Sequence, residues 1–247
     1  MGKLDGKSVI ITGSAQGMGA QHARAFVAEG ARVTLSDLQE EAGRAIADEL
    51  GEAAFFAAQN VALEADWDRV VAAALAHGGH IDGLVNNAAI HNVCPIEQES
   101  IDNLRRALEV NVVGSFIGIQ KMIGPMREAG GGSIVNLSSV AGTRGIPAHV
   151  SYGTSKWAVR GMTKIAAADL AADKIRVNSI HPGGIEDTGM YTVPETEEAI
   201  NARNAMVPMG RPGRPDEISQ LAIFLISDAS SYITGTEHVI DGGLTLW

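Results

Sequence analysis

The chain has 247 residues, of which 45% are hydrophobic and 19% charged, and its formal net charge is −10. This is an ordinary globular composition, and the length suffices for one large α/β domain. An acidic chain without a basic run is a poor match to nucleic acid or an anionic membrane. No apolar run is long enough to span a bilayer, and residues 1–7 resemble neither a signal nor a transit peptide. The single cysteine, Cys94, excludes an intrachain disulfide, so we expect a cytoplasmic location.

Short apolar runs alternate with longer helical patterns along the chain. The predicted strands cover residues 8–12, 32–36, 54–61, 83–85, 133–137, 175–180 and 238–240. The predicted helices cover the stretch up to residue 29 that follows the first glycine-rich turn, and then residues 38–50, 64–76, 98–128, 152–172 and 215–227. Pro125 is expected to bend or end the helix at 98–128 early.

This alternation predicts the fold class. Apolar strands joined by helices indicate a parallel sheet covered on both faces, so residues 1–247 are predicted to form a single α/β domain of the Rossmann type. Its core would be a doubly wound parallel sheet of about seven strands. Residues 183–214 hold no clear strand and are rich in Gly, Pro and Met, which predicts a mobile substrate lid at 184–214.

A glycine-rich turn, TGSAQGMG at residues 12–19, joins the first strand to the first helix. Glycines let the backbone approach a pyrophosphate closely, and the N-terminus of the helix offers free N–H groups and a partial positive charge. The spacing is one residue longer than the usual dinucleotide fingerprint. A tight turn without a ligand is the alternative, but the position between strand and helix favours a dinucleotide site.

The nature of the dinucleotide is indicated by Asp37, which stands at the end of the second predicted strand. A carboxylate there accepts hydrogen bonds from the adenosine ribose hydroxyls and repels a 2′-phosphate. Residues 14–16 and the position after Asp37 contain no Lys or Arg that would bind such a phosphate. We therefore predict NAD rather than NADP, with a merely solvated aspartate as the alternative.

Tyr152 and Lys156 are four residues apart on a predicted helix, so their side chains share one face. Such a pair is common by chance and alone would indicate surface residues. Other residues favour a functional role for this pair, because several polar, glycine or proline positions fall at the carboxyl ends of predicted strands. These positions are Gly13, Asp37, Asn87, Ser139 and Pro182. In an open α/β sheet that edge binds ligands, so one crevice is expected to gather these groups.

The motifs together resemble the short-chain dehydrogenase/reductase family, in its NAD-dependent branch, along nearly the whole chain. The resemblance rests on TGSAQGMG, NNAA, EVNVVG, IVNLSS, YGTSK, RVNSIHPG, SSYITG and VIDGG, in this order. Among family members, hydroxysteroid and cyclic-alcohol dehydrogenases look most similar.

The resemblance implies a role for each reacting residue. Tyr152 would be the general acid or base on the substrate oxygen, and Ser139 would hydrogen-bond and polarise that oxygen. Lys156 would bind the nicotinamide ribose and lower the pKa of the tyrosine. Asn111 would hold a water molecule that continues a proton path from Lys156 to solvent.

The resemblance also implies a set of cofactor contacts around the crevice. They are Gly13, Gln16, Gly17, Met18, Gly19, Asp37, Leu38, Asn60, Val61, Asn87, Ala88, Ala89, Tyr152, Lys156, Pro182, Gly183, Ile185 and Thr188. The chain departs from the family pattern at three of these places. Ala89 stands where glycine is usual, Asn60 stands where aspartate is usual, and the segment 182–188 is one residue longer. We expect Asn60 to weaken adenine binding without abolishing it, and Ile185 is a safer backbone contact than Thr188.

Other candidate residues give weaker signals. The histidines show no metal-ligand spacing, so no metal is predicted. His91 and His149 are expected either near the crevice mouth or in solvent-exposed loops. Met190 in the lid is a candidate substrate contact beside Ser139 and Tyr152, although ordinary lid packing explains it equally well.

Three functions are compatible with these residues. The first is an alcohol/ketone dehydrogenase for a bulky or cyclic substrate, steroid-like or alicyclic. The second is a 3-oxoacyl-[acyl-carrier-protein] reductase, against which Asp37 and the acidic charge argue. The third is a non-enzymatic NAD-binding sensor, against which the complete set of reacting residues argues. The resemblance further implies a homotetramer, built through the predicted helices 98–128 and 152–172. Small residues there permit close approach, namely Ala158, Gly161 and Ala168.

Overall fold

A parallel β-sheet forms the centre of the molecule. The computed structural model describes residues 2–186, 188 and 196–246. The strands are β1 (Ser8–Thr12), β2 (Arg32–Asp37), β3 (Ala54–Ala58), β4 (Gly83–Asn86), β5 (Gly132–Leu137), β6 (Ile175–Pro182) and β7 (Glu237–Ile240). Among the described residues they form one seven-stranded sheet, in which all neighbouring strands are parallel and the order is β3-β2-β1-β4-β5-β6-β7. The strand order reverses between β1 and β4, so the predicted doubly wound Rossmann fold is confirmed.

The helices follow the strands nearly as predicted. They are α1 (Gly17–Ala28), α2 (Glu40–Leu50), α3 (Glu64–Gly78), α4 (Ile101–Leu108), α5 (Gly114–Glu128), α6 (Val150–Leu170), α7 (Glu197–Ala205) and α8 (Pro215–Ile226). None of the helices in the described part of the chain combines the length and the apolar character that a membrane crossing needs.

The predicted helix at 98–128 is wrong as a single element. It consists of α4, a π-helical turn at Glu109–Val113 and α5. Pro125 does not end the helix early, because α5 continues to Glu128. Met122 and Met126 on either side of Pro125 are fully buried, and this packing holds the last turn in place although one backbone donor is missing.

Two further boundaries differ from the sequence prediction. The third strand ends at Ala58 instead of residue 61, because the Asn60 side chain accepts a hydrogen bond from the Ala62 N–H at 3.1 Å and turns the chain. Within the predicted lid, helix α7 was not expected. Its sequence, EEAINARNA, has only a weak apolar stripe, which is why periodicity did not reveal it.

The sheet is covered on both faces by apolar side chains. Val9 and Ile11 of β1 point into a core formed with α1, α2 and α8, which includes Phe26 and Ile223. Ile10, between them, points into the opposite core with α3, α5 and α6. Burial of each such side chain stabilises the fold by about 1.5–3 kcal/mol. The two cores hold the sheet as a rigid platform whose carboxyl edge remains free for a site.

Candidate active site

The glycine-rich turn lies at the carboxyl end of β1, as predicted. Gly13 has φ +64°, and an added Cβ would lie 2.7 Å from the Ala88 Cα, so a larger residue is excluded by strain and by space. Asn87 braces the turn, because its amide donates to the carbonyls of Thr12 and Gly13 at 3.0 and 2.9 Å. Thr12 Oγ1 in return accepts from the N–H of Ala88 at 3.0 Å. The turn is thus fixed from both sides before any ligand binds.

Helix α1 presents its N-terminus beside this turn. Its N-cap residue, Gln16, makes no side-chain capping bond. Helix α4 differs, because the Ser100 hydroxyl accepts from the Asn103 N–H at 3.0 Å. The first N–H groups of α1 begin at Gly17, and the Gln16 side chain does not cap them, so they can donate to an anion. Their supply of donors fits a pyrophosphate group.

Asp37 is the last residue of β2, and its carboxylate is directed toward the glycine-rich turn. It accepts from the N–H groups of Ala15 and Gln39, each at 3.0 Å. A carboxylate offers about four acceptor positions. Two backbone donors therefore leave capacity for ribose hydroxyls. The next residue, Leu38, is largely exposed at the same edge.

The residues predicted to contact the adenine lie in the loop after β3. The Asn60 side-chain oxygen is engaged by Ala62, and the Asn60 N–H donates to Asp66 Oδ2 at 2.8 Å. The carbonyl of Val61 accepts from Trp67 Nε1 at 2.8 Å. These bonds order the loop, so the predicted contacts at Asn60 and Val61 have a fixed backbone.

Tyr152 and Lys156 lie together on α6, both almost completely buried at 8% and 3% exposure. Lys156 Nζ lies 5.5 Å from the centroid of the Tyr152 ring. It donates to the carbonyl of Leu137, the last residue of β5, at 2.7 Å. Burial lowers the pKa of Lys156 to about 8. The ammonium is therefore held next to the phenol and is poised to lose its proton just above neutral pH.

Ser139 follows β5 at the carboxyl edge of the sheet, whereas Ser138 connects β5 to α6. The Ser138 hydroxyl donates to the Lys156 carbonyl at 2.9 Å. The Ser139 Oγ accepts from the Ala141 N–H at 3.1 Å, which leaves its own proton for another partner. The Ser139 carbonyl lies 3.1 Å from Nδ1 of the buried His181, which donates to it. Burial lowers the pKa of His181, so this imidazole stays neutral near pH 7 and fixes the serine backbone.

Asn111 lies in the π-helical turn and is 1% exposed. Its side chain accepts from the Ile90 N–H at 2.8 Å and donates to the Ile90 carbonyl at 3.0 Å. It also donates to Ser155 Oγ at 2.9 Å, one turn from Tyr152 and beside Lys156. In this arrangement the amide connects the loop after β4 to α6, the helix of Tyr152 and Lys156. Its predicted role in holding a water molecule stays a prediction.

His91 and His149 lie beside Tyr152. The His91 and Tyr152 ring centroids are 4.7 Å apart with the planes at 86°. His149 lies 5.1 Å from His91 and 6.4 Å from Tyr152. Both are half-buried, so each lies beside Tyr152 and also keeps part of its surface exposed. A sequence signal existed: His149 precedes Tyr152 by one helical turn, and His91 follows the carboxyl end of β4.

The segment after β6 closes the other side of the crevice. Pro182 ends β6, the Gly183 N–H donates to the Ile240 carbonyl at 3.0 Å, and Ile185 is buried. Ile185 forms a bridge with Gly213 whose bonds use Gly184 O and Glu186 N, so its own N–H and C=O stay outside this pairing. The Thr188 carbonyl is close to Gly17, where an added Cβ would lie 2.6 Å from its oxygen. Met190 lies outside the described residues.

Comparisons with known proteins agree with this geometry. The family model described as "Enoyl-(Acyl carrier protein) reductase" matches residues 13–245. The 3-alpha-(or 20-beta)-hydroxysteroid dehydrogenase of Mycobacterium tuberculosis is 44% identical over 98% of this chain and 90% of its own length. The cyclopentanol dehydrogenase of Comamonas testosteroni is 40% identical over 99% of both chains.

A solved structure shares the whole architecture. The 3-ketoacyl-(acyl-carrier-protein) reductase of Brucella melitensis, crystallised with NADH, superposes with a TM-score of 0.91 at 34% identity and covers 98% of this chain and 99% of its own. The chain therefore belongs to the short-chain dehydrogenase/reductase family, and the resemblance drawn from its motifs is confirmed.

Proposed function

We propose that this protein is an NAD(H)-dependent dehydrogenase/reductase that acts on a secondary alcohol or ketone of a bulky or cyclic compound. The observation that carries the proposal is the buried ammonium of Lys156 against the phenol of Tyr152, at the sheet edge where Ser139 also lies. The phenol would exchange a proton with the substrate oxygen, and the Ser139 hydroxyl would hydrogen-bond that oxygen.

The charge of Lys156 is what would make the phenol reactive. A free tyrosine has a pKa of about 10, so catalysis near neutral pH needs a decrease of about 2–3 units, or roughly 3–4 kcal/mol. An ammonium at about 4 Å contributes roughly 4 kcal/mol at an effective dielectric constant near 20. Because the pKa of Lys156 is lowered to about 8, its positive charge is present below this value and is lost as the pH rises through it.

The residues of the turn and of β2 fit an NAD molecule. The N-terminus of α1 would bind the pyrophosphate, and the carboxylate of Asp37 would accept from the ribose hydroxyls. The segment from Pro182 to Thr188 would contact the carboxamide end. When bound, the nicotinamide donates or accepts the hydride. The NADH in the Brucella melitensis structure supports this cofactor.

The named relatives and the methionines of residues 184–214 support the substrate class. Relatives named for hydroxysteroids and cyclopentanol support a cyclic secondary alcohol. Residues 184–214 would act as a lid, with Met190 as a substrate contact. Met206 and Met209, in the described part of that segment, are largely exposed and available to an apolar substrate.

A substrate panel tests the proposal. Initial rates would be measured with NAD+ and NADP+ on cyclopentanol, cyclohexanol and a 3-hydroxysteroid, and with NADH on the corresponding ketones. We expect turnover of at least one cyclic alcohol, with a higher kcat/KM for NAD+ than for NADP+. Turnover restricted to NADP+ would contradict the cofactor assignment, and no turnover of any cyclic alcohol would contradict the substrate class.

A 3-oxoacyl-[acyl-carrier-protein] reductase is the second candidate, since the Brucella melitensis structure carries that name. Acetoacetyl thioesters of the carrier protein and of a short pantetheine distinguish the two functions. A kcat/KM for the acyl thioester well above that for every cyclic ketone would favour the second candidate.

We also propose a cytoplasmic homotetramer built through α4, α5 and α6. Two large apolar side chains on these outer faces support it, because Phe116 and Ile165 are 51% and 67% exposed in the single chain. Gly161 on α6 has open space around its Cα, which permits close approach of a second helix. Light scattering tests the assembly, and a monomeric mass at micromolar concentration would contradict it.

A further inference from the structure

The rim of the crevice next to Tyr152 carries an imidazole that the proposed chemistry does not use. Two loops form this rim: the Cys94 N–H donates to the Ala148 carbonyl at 2.7 Å, and Cys94 pairs with His149 as an isolated parallel bridge. Ala148 has φ +60°, a left-handed conformation that is uncommon for a residue with a side chain. This hydrogen-bonded backbone places the ring of His149 beside the rings of Tyr152 and His91.

The hydrogen bonding of His149 fixes which ring nitrogen carries the proton. Nδ1 lies 2.7 Å from the carbonyl of Pro147. A carbonyl only accepts, so Nδ1 is the donor, and in the neutral imidazole Nε2 is then an acceptor. Among the residues that the structure describes, no hydrogen bond uses Nε2, and His149 is half-buried. A hydroxyl group is the partner that Nε2 fits, whereas a ketone oxygen is not.

Space for such a group exists beside His149. A cavity of about 300 Å³ is lined by His149 together with Ile96, Ile146 and Trp157. Among the described residues, its remaining lining includes one cation, Arg144, which donates to the Leu244 carbonyl at 2.9 Å, and no carboxylate. Ser139, Tyr152 and Lys156 do not line it, so the cavity is a separate space that adjoins His149.

We propose that His149 Nε2 accepts a hydrogen bond from a second hydroxyl group of the substrate, so that the enzyme prefers cyclic diols to cyclic mono-alcohols. This inference rests on the proposed function and narrows its substrate class. The reacting hydroxyl would lie at Tyr152, and the second hydroxyl would reach past His91 to His149, whose ring centroid is 6.4 Å from that of Tyr152. His91 serves as the ring that separates the two polar positions.

Ligand binding and turnover together test the inference. Three ligands of similar shape would be compared at about pH 7.5, below the pKa at which the charge of Lys156 is lost. They are cyclohexanol, trans-4-methoxycyclohexanol and trans-1,4-cyclohexanediol. Their dissociation constants would be measured by calorimetry in the presence of NADH, and kcat/KM would be measured with NAD+. After correction for its two equivalent hydroxyls, the diol is expected to bind about fivefold to tenfold more tightly than cyclohexanol. The methyl ether, whose ether oxygen has no proton to donate to Nε2, is expected to match cyclohexanol.

Matched variants locate the effect at one nitrogen. His149→Asn retains a donor for the Pro147 carbonyl but has no atom at the Nε2 position, so the preference for the diol should disappear. His149→Gln places an amide oxygen near that position and should restore most of the preference. His91→Phe keeps the ring contact with Tyr152, and His80→Asn lies at the opposite edge of the sheet beside Asp82; both should leave the preference unchanged.

The outcomes separate this inference from the proposed function. An unchanged diol preference in His149→Asn, an equal loss in His91→Phe, or an equal gain for the methyl ether would each overturn the role of Nε2. Tight diol binding that depends on His149, without turnover of any alcohol, would overturn the proposed function and retain the binding role.

Discussion

Lys156 and His22 are two enclosed basic side chains on which burial acts in the same direction. Burial lowers the pKa of Lys156 to about 8 and that of His22 to about 4. Lys156 lies at the carboxyl edge of the sheet, where its ammonium contacts the Leu137 carbonyl and faces the phenol of Tyr152. His22 lies between α1 and α8, where Nδ1 is 2.7 Å from Ser219 Oγ and Nε2 has no partner among the described residues.

The difference shows what burial means at each place. Lys156 remains a cation at neutral pH and can assist a neighbouring proton transfer, because its lowered pKa is still above 7. His22 is neutral under the same conditions and contributes only packing and one hydrogen bond. A shifted pKa therefore marks a functional group only in combination with its position on the sheet edge.

The largest effect is expected when the hydroxyl group of Tyr152, next to Lys156, is removed. Tyr152→Phe should decrease kcat by about 10³-fold, because general acid–base catalysis by a positioned side chain contributes about 10²- to 10⁴-fold. NADH affinity, measured by fluorescence titration, should remain nearly unchanged.

Tyr232→Phe is the control for this variant, since Tyr232 is fully exposed and should tolerate the change with full activity. Turnover near the wild-type level in Tyr152→Phe would contradict the catalytic role of Tyr152. Lys156 would then have no proton transfer to assist, and its function would no longer differ from that of His22.

His22 gives the next largest effect, on stability rather than on rate. Its folded-state pKa of about 4 lies below the usual value of 6.5, so the unfolded chain binds more protons in this window. The stability that neutral His22 contributes is present above pH 6.5 and is lost as the pH falls toward 4. Between pH 7 and 4.5 this loss amounts to about 2 kcal/mol.

The variant His22→Met should abolish that part of the pH dependence. Urea unfolding at pH 7 and 4.5, at one protein concentration, would measure it, with His80→Gln as a half-exposed control. The free energy of unfolding should decrease less on acidification in His22→Met than in the wild type. Parallel decreases in the two proteins would show that His22 is not a buried neutral base.

The β-sheet and the residues at its carboxyl edge could be predicted from the sequence, because both depend on local signals. Apolar runs of strand length, glycines after β1 and Asp37 at the end of β2 each have a meaning that requires no knowledge of distant contacts. The same holds for Tyr152 and Lys156, whose spacing places them on one helical face. These residues accordingly lie together as expected.

The features that the sequence did not reveal depend on contacts between distant segments. The π-helical turn at Asn111 is held by bonds to Ile90 and Ser155, far from it in the chain. The position of His149 depends on the pairing of its loop with Cys94. His22 is enclosed only because α8, about two hundred residues later, packs on α1. No local pattern encodes such pairings.

Asp37 is expected to determine the preference for NADH over NADPH. Asp37→Asn keeps an oxygen for the N–H groups of Ala15 or Gln39 but removes the charge that would repel a 2′-phosphate. The ratio of kcat/KM for NADPH to that for NADH should rise about tenfold, since the lost repulsion at this exposed edge is of order 1–2 kcal/mol. Asp5→Asn, at an exposed position, is the control. An unchanged ratio would mean that Asp37 does not face the adenosine ribose.

The smallest effect is expected at Glu99, which connects the rim to the helix of Lys156. Its carboxylate accepts from Ser151 Oγ at 2.8 Å, from Asn92 Nδ2 at 3.0 Å and from the Ser100 N–H at 3.0 Å. These bonds lower the pKa of Glu99, with the largest contribution from Ser151, so the group is ionised at neutral pH. Glu99 thus orders the loop that carries His91 without contacting the reacting centre.

Glu99→Gln should therefore change KM rather than kcat. An amide oxygen can replace only part of the carboxylate's acceptor capacity, and we expect KM for a cyclic alcohol to rise about threefold, the equivalent of one weakened hydrogen bond. Glu97→Gln, on the exposed side of the same loop, should leave KM unchanged. Protonated Glu99 resembles glutamine, and its lowered pKa means that it is protonated only below the usual glutamate range. The KM of the wild type should therefore approach that of the variant only on acidification to this range. A decrease in kcat with unchanged KM would instead place Glu99 in the proton chemistry, on the same side of the comparison as Lys156.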